Sequence, residues 1–425
     1  MKSRFAPIGI TILLTLFGGL FIIASNSHWF RSMNAPPVSA IDAAIENQKQ
    51  LIESESASVQ HYVDLAALYV QKIRETADTS FYAQIDALMD RAEKINPKDP
   101  DISAVRASVA MGRHDFRAAY DHILEVLKEN TSRPAYFGLR ADAEIELGLY
   151  ADAALSIQKM IDLRPTFSSW SRVAYIRELN GDSAGALVAL ENAITSGSSF
   201  RENIAWAHVE RGTLGLRSDA EAAKKDFNTA LSIVTSYPPA LQGLGKHALI
   251  KGDVSAAERF YLRAFEEMPL AQYAIAVGDL YTLQGNIVKA EQYFALADAA
   301  FAASAKSGVN TDFEVSQFRS NHKRELAAAV LLARSAYTNA SNSRTADNLA
   351  WALHRNGLSQ EALQYKKEAL VIGQHDPLIL FHQGIIALET GDQMLAKEYL
   401  QKAQGIDPHF SIQFRDELTR ALRDL

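Results

Sequence analysis

Apolar and small residues recur along most of the chain in an order that predicts pairs of amphipathic helices. One small apolar position returns at intervals of 33 to 37 residues between residues 92 and 403. A fixed period of this length is typical of a repeated supersecondary unit. The pattern therefore predicts an all-α array of about ten repeats. The recurring position is occupied, in order, by Ala92, Val126, Met160, Ala193, Ala230, Ala264, Ala297, Ala333, Ala369 and Ala403.

Glycine and proline separate the predicted helices within and between the repeats. In the sixth repeat, Gly252 follows the first helix and Pro269 follows the second. Glycine ends a helix at low cost because it has no Cβ, and proline begins the next helix where its missing N–H costs little. Small residues such as Ala257 and Ala264 are expected where the helices approach most closely, with the ring of Tyr261 filling the gap beside them. One helix pair cannot bury its own apolar face, so neighbouring pairs stack into a solenoid.

The best-formed repeat resembles the tetratricopeptide repeat (TPR) family, and the resemblance covers roughly residues 58 to 408. It implies a TPR-type α-solenoid in which each unit is two antiparallel helices. The first unit departs from the family pattern because it lacks the turn glycine, and the eighth, between Phe313 and Tyr337, keeps little of the pattern. We therefore expect the stretch from Ser304 to Asn321 to be irregular. The residues that carry the resemblance are Leu241, Leu244, Gly245, Gly252, Ala257, Tyr261, Ala264 and Pro269, with Trp170 at the bulky position of the fourth unit.

The pattern divides the chain into four segments. We expect residues 1–30 to form a membrane anchor or an uncleaved signal, residues 31–57 a linker and lead-in helix, and residues 58–408 the solenoid. Residues 409–425 are expected to form a C-terminal capping helix that covers the exposed end of the stack. Its apolar residues are four positions apart, as on one face of a helix. They are Phe410, Phe414, Leu418 and Leu422.

The amino terminus has the features of a membrane-spanning helix. Lys2 and Arg4 precede Phe5 to Ala24, which are 20 residues without a charge. A helix of this length spans about 30 Å, enough for the hydrocarbon core of a bilayer. Because basic flanking residues stay in the cytoplasm, we expect a single-pass protein with a cytoplasmic amino terminus. The repeats would then lie outside the cytoplasm, in the periplasm of a bacterium; the alternative is secretion after signal cleavage near Ser25.

The composition excludes several kinds of chemistry. Among the 425 residues there is no cysteine, which excludes disulfides, thiolate metal sites, cysteine nucleophiles and a lipid-modified cysteine. The scarcity of glycine (22) and proline (12) favours helix. A net charge of −7 argues against general binding of nucleic acid. The sequence contains no catalytic or phosphate-binding motif, and its 11 histidines are scattered. We therefore expect no enzyme activity, no metal, no cofactor and no nucleic-acid partner.

The resemblance also implies which side chains line the inner, concave surface of the solenoid. This lining combines both signs of charge with aromatic rings, which suits an extended or helical peptide held by aromatic anchors. For Trp206 and Trp351 the alternative is packing between helices. The expected partner-binding residues are Tyr175, Glu178, Trp206, Lys246, Asp279, Trp351, Arg355 and Phe381, and the same positions include Asp142.

These features predict a membrane-anchored scaffold for protein–protein interactions. It would present a concave TPR groove to protein or peptide partners outside the cytoplasm, with Phe5 to Ala24 in the membrane. The alternative is an accessory subunit of an envelope enzyme or assembly machine, in polysaccharide synthesis, cytochrome maturation or secretion. Fold does not by itself imply function, so the sequence does not identify the partner.

Overall fold

The computed structural model describes residues 40–54, 58–129 and 132–425, and within these ranges every regular element is helical. The predicted membrane segment from Phe5 to Ala24 lies outside the described residues and stays a prediction. Among the helices that are described, none is both long enough and apolar enough to cross a bilayer. The first helix, α1 (Ala40–Ser54), buries Ile41 and Ile45 against the helix that follows.

Ten helix pairs follow α1, and each pair is joined by a short turn. We number them as units one to ten and name the C-terminal helix α23 (Arg415–Asp424). The units, in order, are α2 (Val59–Thr76) with α3 (Phe81–Glu93); α4 (Pro100–Gly112) with α5 (Phe116–Glu129); α6 (Pro134–Glu146) with α7 (Tyr150–Leu163); α8 (Phe167–Leu179) with α9 (Ser183–Ser196); α10 (Arg201–Gly215) with α11 (Ala220–Ile233); α12 (Pro238–Ile250) with α13 (Val254–Glu267); α14 (Ala271–Leu283) with α15 (Ile287–Lys306); α16 (Asp312–Asn321) with α17 (Leu326–Asn339); α18 (Ser343–Arg355) with α19 (Ser359–Ala362), a 3₁₀ turn (Leu363–Tyr365) and α20 (Lys366–Gly373); and α21 (Pro377–Glu389) with α22 (Gln393–Ile406).

The recurring small position lies on the second helix of every unit, and none of its ten residues is more than 3% exposed. The two helices of a unit meet where a small residue faces an aromatic ring. A Cβ added to Gly245 would lie only 2.2 Å from Cε1 of Tyr261, so glycine is required at this approach. The predicted repeat register is confirmed, and the fold is a TPR-like α-solenoid.

The turns inside the units follow the predicted glycines. Gly252 and Gly391 have φ values of +77° and +91°, in the left-handed region that glycine enters without steric cost. The first unit, which lacks the glycine, makes the same turn with Ala77 at φ +57°. The eighth unit uses Lys323 and Glu325 at φ +54° and +41°. The departures from the family pattern therefore change the residue that makes the turn and leave the helix pair intact.

The stretch from Ser304 to Asn321, which was expected to be irregular, is mostly helical. The second helix of unit seven, α15, continues to Lys306, and α16 begins at Asp312. Phe318 is 2% exposed and packs between the rings of units seven and eight. Ser316 is fully buried where other units carry alanine, and its hydroxyl donates to the carbonyl oxygen of Ala329 at 3.0 Å. The expectation was wrong because buried serines hide the apolar pattern of this helix.

The array winds back on itself, so that units far apart in sequence touch. The turn of unit two meets the start of unit eight, and unit three meets the start of unit nine. We name this set of polar contacts the seam. Its hydrogen bonds are Asn310 N to Arg113 O (3.0 Å), His114 Nδ1 to Asn310 O (2.8 Å), Asn342 Nδ2 to Glu146 O (2.7 Å) and Ser343 N to Tyr150 Oη (3.0 Å).

The first unit also packs against the middle of the array. Arg74 forms an ion pair with Glu202 at 3.2 Å, and the second oxygen of Glu202 accepts a hydrogen bond from the Tyr237 hydroxyl at 2.6 Å. Ala77 is 2% exposed and lies in a cluster with Leu270 of unit seven. Together with the seam, these contacts make the ten units one closed body, with long-range contacts in addition to those between neighbours.

Candidate functional site

The structure brings four of the eight predicted binding residues together. They lie on α8, α10 and α12, the first helices of units four to six, and two further charged residues join them. We name this group the inner polar surface. It consists of Tyr175, Glu178, Trp206, Glu210, Arg217 and Lys246.

Helix spacing and one ion pair place the two residues that sequence reasoning missed. Glu210 follows Trp206 by four residues, so both project from one face of α10. Arg217 lies just after α10 and reaches the Glu178 carboxylate of the preceding unit, with Nη2 and Oε1 3.2 Å apart. The spacing from Trp206 was the sequence signal that identifies Glu210, whereas the pairing of Arg217 depends on how units four and five stack.

The charged groups of the inner polar surface are held in surroundings that disfavour their charges. Burial, helped by the neighbouring Glu178 carboxylate, raises the pKa of Glu210 to about 8; the Lys246 ammonium and the Trp206 indole oppose this rise. Burial also raises the pKa of Glu178 and lowers that of Lys246. The Lys246 side chain is nevertheless accessible to solvent. On a concave surface, protein surrounds a charged group on most sides although solvent still reaches it. Such a group can therefore be accessible and still have a pKa shifted in the direction that burial causes.

The opposite wall of this surface belongs to units nine and ten. The Asp376 carboxylate helps to raise the pKa of Glu178, and the Asp407 carboxylate partly offsets the lowering of the Lys246 pKa. The walls come into direct contact at Gly181, where an added Cβ would lie 2.4 Å from Nδ1 of His375. The concave side of units four to six therefore faces another part of the same chain.

The raised pKa of Glu210 makes stability depend on pH in a defined direction. The folded protein holds the Glu210 proton up to about pH 8, whereas an unfolded glutamate releases it near pH 4.5. The carboxyl therefore destabilises the fold increasingly as the pH rises through this range. We expect Glu210→Gln to raise the free energy of unfolding at pH 9 by about 1–3 kcal/mol and to change it little at pH 5. Urea unfolding at both pH values measures this.

The matched control for this test is Glu398→Gln, on the exposed face of α22. It should change the free energy of unfolding by less than about 0.5 kcal/mol at either pH. An equal response of the two variants would show that Glu210 is not held in a dehydrated site.

Trp206 lies at the edge of the inner polar surface and is mostly a packing residue. It is 4% exposed and meets Phe167 edge to face at a centroid distance of 6.4 Å. Its indole N–H is buried and makes no hydrogen bond of normal geometry to any described residue. A partner contact by Trp206 stays a prediction.

Asp279 is engaged inside the protein. Its carboxylate faces Nε2 of His322 at 2.8 Å, and the other ring nitrogen of His322 faces the Phe318 carbonyl oxygen at 2.7 Å. The ring lies against Phe294 at a centroid distance of 4.4 Å. The predicted role of Asp279 in partner binding would require breaking this pair.

The remaining three predicted residues form a second group, which we name the aromatic cluster: Trp351, Arg355 and Phe381. Trp351 and Phe381 are both 0% exposed. The Trp351 indole stacks on His382 at 4.1 Å and donates its N–H to Oδ1 of Asn321 at 2.9 Å. The Arg355 guanidinium lies over the same indole, 4.9 Å from its centroid. A change at Trp351 would therefore disturb packing as well as any binding.

The chain's own C-terminal end covers the aromatic cluster. Phe414 stacks on Phe381 at 4.9 Å and meets Trp351 edge to face at 5.6 Å, and Phe410 lies 5.7 Å from Phe381. The predicted apolar spacing is visible here, since Phe414 and Leu418 are 2% and 3% exposed. The helix itself begins only at Arg415, and residues 407–414 form turns that lead into it.

A small cavity of about 60 Å³ lies at the seam. Glu146, Glu314 and Arg344 line it together with the Phe313 ring. The Arg344 guanidinium lies 5.1 Å from the centroid of that ring and 3.9 Å from the Glu146 carboxylate. The cavity has room for about two waters. In the described part of the chain, no three acidic or histidine side chains are arranged to hold a metal ion.

Solved structures with similar architecture include PilW, a type IV pilus biogenesis factor, at 17% identity over 48% of this chain and 94% of that chain, with a TM-score of 0.41. Yeast Tom70 is 16% identical over 90% of this chain and 92% of its own, with a TM-score of 0.38. A tetratricopeptide repeat protein from Parabacteroides merdae is 16% identical over 60% of this chain and 98% of its own, with a TM-score of 0.35. No protein-family model and no curated protein matches the sequence. Because every one of these TM-scores is below 0.5, the TPR-like assignment rests on the register and helix pairs of this chain itself.

Proposed function

We propose that this protein is a scaffold for protein–protein interactions, tethered to a membrane by Phe5 to Ala24 with its repeats outside the cytoplasm. The observation that supports the role most directly is the inner polar surface, where Glu178, Glu210 and Lys246 lie together on the first helices of units four to six and the surrounding protein shifts the pKa of each towards its neutral form. Under this proposal the chain has no catalytic activity of its own.

The charges of the inner polar surface are not part of the apolar clusters that join the units. The units pack through alanines, glycines and aromatic rings, as at Gly245 and Tyr261. A charge in dehydrated surroundings costs free energy unless a partner group compensates it. Ionisable groups with strongly shifted pKa values outside the packing core are typical of functional surfaces. A partner that carries both signs of charge would compensate Glu210 and Lys246 together.

The membrane tether is supported by the sequence alone. Lys2 and Arg4 lie before the uncharged stretch, which favours a cytoplasmic amino terminus. The rest of the chain would then follow the membrane segment outward, and Pro36 and Pro37 would stiffen the short linker that separates the repeats from the bilayer.

A membrane-impermeant cross-linker applied to intact spheroplasts tests both parts of the proposal. We expect the repeats to be modified from outside and to be recovered with covalently attached partner proteins. Lys246→Ala should reduce partner recovery by about tenfold, because it removes the accessible cation of the inner polar surface. Lys225→Ala, the same change on the exposed face of α11 in unit five, is the control and should leave recovery unchanged.

The outcomes separate the two parts. If the repeats are modified only after lysis, the proposed topology is wrong. If they are modified in intact spheroplasts without attached proteins, the scaffold role is wrong. Equal loss of partners with Lys246→Ala and Lys225→Ala would place the binding surface elsewhere on the array.

A further inference from the structure

The C-terminal segment, residues 407–425, does more than close the end of the stack. Its ring contacts are with Trp351 of unit nine and Phe381 of unit ten. Between Phe410 and Phe414 in the sequence, Ile412 packs against the apolar cluster that unit seven shares with Phe318 of unit eight. The segment therefore runs across several units, along residues that the TPR resemblance assigns to the inner surface.

Polar contacts fix the register of the segment on this surface. The Gln413 amide donates to the backbone carbonyl oxygen of Asn321 at 2.7 Å. The Glu417 carboxylate lies 3.5 Å from the Arg355 guanidinium, whose side chain is only 8% exposed. With Phe410 and Phe414, these contacts form the set that a groove uses to hold a peptide: aromatic anchors, a hydrogen bond to the backbone and one ion pair.

The fit is incomplete at a polar group beneath the segment. His382 is 1% exposed, packs edge to face against Phe414 at 5.7 Å, and has no partner for Nε2 among the described residues. Buried polar atoms are normally paired. His382 Nε2 is therefore a hydrogen-bonding atom beside Phe414 that the segment does not use.

The segment also has little intrinsic structure of its own. Helix α23 has 10 residues, and only Leu418 and Ala421 of them are buried. Isolated helices shorter than about 12–15 residues are marginal in water. The helix is therefore held in place by its docking and not by its own stability, so that undocking and unfolding of the segment are coupled.

We propose that the inner surface of units eight to ten is a docking site for a segment of a partner protein in which a turn leads into a short amphipathic helix, and that the C-terminal segment is a built-in occupant which this partner displaces. The partner segment carries two aromatic residues four positions apart in the turn and an acidic residue in the helix three positions after the second, as Phe410, Phe414 and Glu417 do here. The inference rests on the proposed scaffold function and adds where and what it binds. An intramolecular occupant acts at a high effective concentration, so it reduces the apparent affinity for partners until it is released.

The test uses the full chain with a protease site placed at Asp407, between α22 and the segment. The probe is a fluorescent peptide of residues 409–425. We expect the peptide to bind the cleaved protein at least tenfold more tightly than the uncleaved protein, as measured by fluorescence anisotropy. A Phe414→Ala peptide should lose at least tenfold in affinity, whereas a Thr419→Ala peptide, changed at an exposed position, should bind as the original does.

A second measurement needs no cleavage. In the uncleaved protein, amide hydrogen exchange in residues 415–424 should be at least tenfold faster than in α21, because the segment opens while unit ten stays folded. Equal exchange in the two helices would overturn the proposal, as would failure of the peptide to bind cleaved protein that keeps its helical circular dichroism. A stable dimer that exchanges this segment would also overturn it, since a second copy would then be the occupant. If any of these outcomes overturns the docking proposal, the cross-linking experiment in spheroplasts still tests the scaffold role separately.

Discussion

Replacing Arg172 with methionine is expected to lower the free energy of unfolding by about 3–5 kcal/mol, because it leaves a carboxylate buried without its counter-charge. Arg172 is 2% exposed and Asp142 5% exposed. The guanidinium holds the carboxylate through two hydrogen bonds, Nε to Oδ1 at 2.9 Å and Nη2 to Oδ2 at 2.5 Å. It also donates to the carbonyl oxygen of Gly138 at 3.2 Å and so links unit three to unit four.

The loss should grow with pH. Burial raises the pKa of Asp142 to about 6 even with Arg172 present to oppose the rise. Without the guanidinium the folded-state pKa rises further. In the variant, the Asp142 carboxyl avoids a buried and unpaired charge only by staying protonated. Protonation becomes less favourable as the pH rises. Urea unfolding at pH 5.5 and pH 8 measures this, and the difference between variant and wild type should be larger at pH 8.

An exposed ion pair on the same helix provides the control. Arg177 and Asp182 lie 3.0 Å apart with side chains 50% and 49% exposed. Arg177→Met should cost less than about 1 kcal/mol because solvent screens this pair. Combining Arg172→Met with Asp142→Leu should recover most of the lost stability, since the unpaired charge is removed. If Arg172→Met costs no more than Arg177→Met, the buried pair is not needed to compensate Asp142.

Gly148→Ala is expected to open the seam and to lower the free energy of unfolding by about 2–4 kcal/mol, from strain and overpacking combined. Gly148 has φ +76°, so any L side chain there is strained. An added Cβ would also lie 2.4 Å from the carbonyl oxygen of Ser341 and 3.3 Å from Cα of Asn342. These are backbone atoms of unit nine, so the contact is relieved only if unit three and unit nine separate.

Gly252→Ala separates the strain from the clash. Gly252 makes the same turn at φ +77°, but an added Cβ there meets no atom within 4 Å. It should cost only the backbone strain of about 1–2 kcal/mol. Small-angle X-ray scattering should show a larger radius of gyration for Gly148→Ala alone. Equal stability and equal size of the two variants would mean that the seam does not hold the array closed.

Much of the fold was predictable because the repeat packs by local rules. Ala264 must be small where its helix meets its partner, and Gly252 must take a left-handed turn. Each requirement restricts one position of the repeat to a small residue or to glycine. Because these residues recur at a fixed spacing, they predict the helix pairs. The apolar spacing of Phe414 and Leu418 predicts a helix near the C-terminus for the same reason.

The seam was not predictable in this way. Three of its hydrogen bonds end on backbone carbonyl oxygens, those of Arg113, Asn310 and Glu146, and every residue type supplies that acceptor. Its partners are up to 197 residues apart, so no local pattern joins them. The shifted pKa of Glu210 depends on how neighbouring units stack, because the Glu178 carboxylate and the Lys246 ammonium come from units four and six.

The candidate site was predicted in part. The family's inner-surface positions include Tyr175, Glu178 and Lys246, which lie on one surface in the structure, and their role in binding a partner stays a prediction. The same rule selected Trp351 and Phe381, which are fully buried. The pattern of the repeat does not predict where the chain goes after the last repeat. The C-terminal segment that follows it is what covers those two rings.

The seam also sets an order of events during synthesis. Asn342 follows Glu146 by 196 residues. At about 5–20 residues per second of chain elongation, unit three exists for about 10–40 s before its seam partner is made. During that interval the helix pairs of the first units form, while the side chains of the inner polar surface still face open solvent. A partner of the kind proposed above would have a similar period to reach Glu178 before Asp376, 198 residues later in the chain, is made.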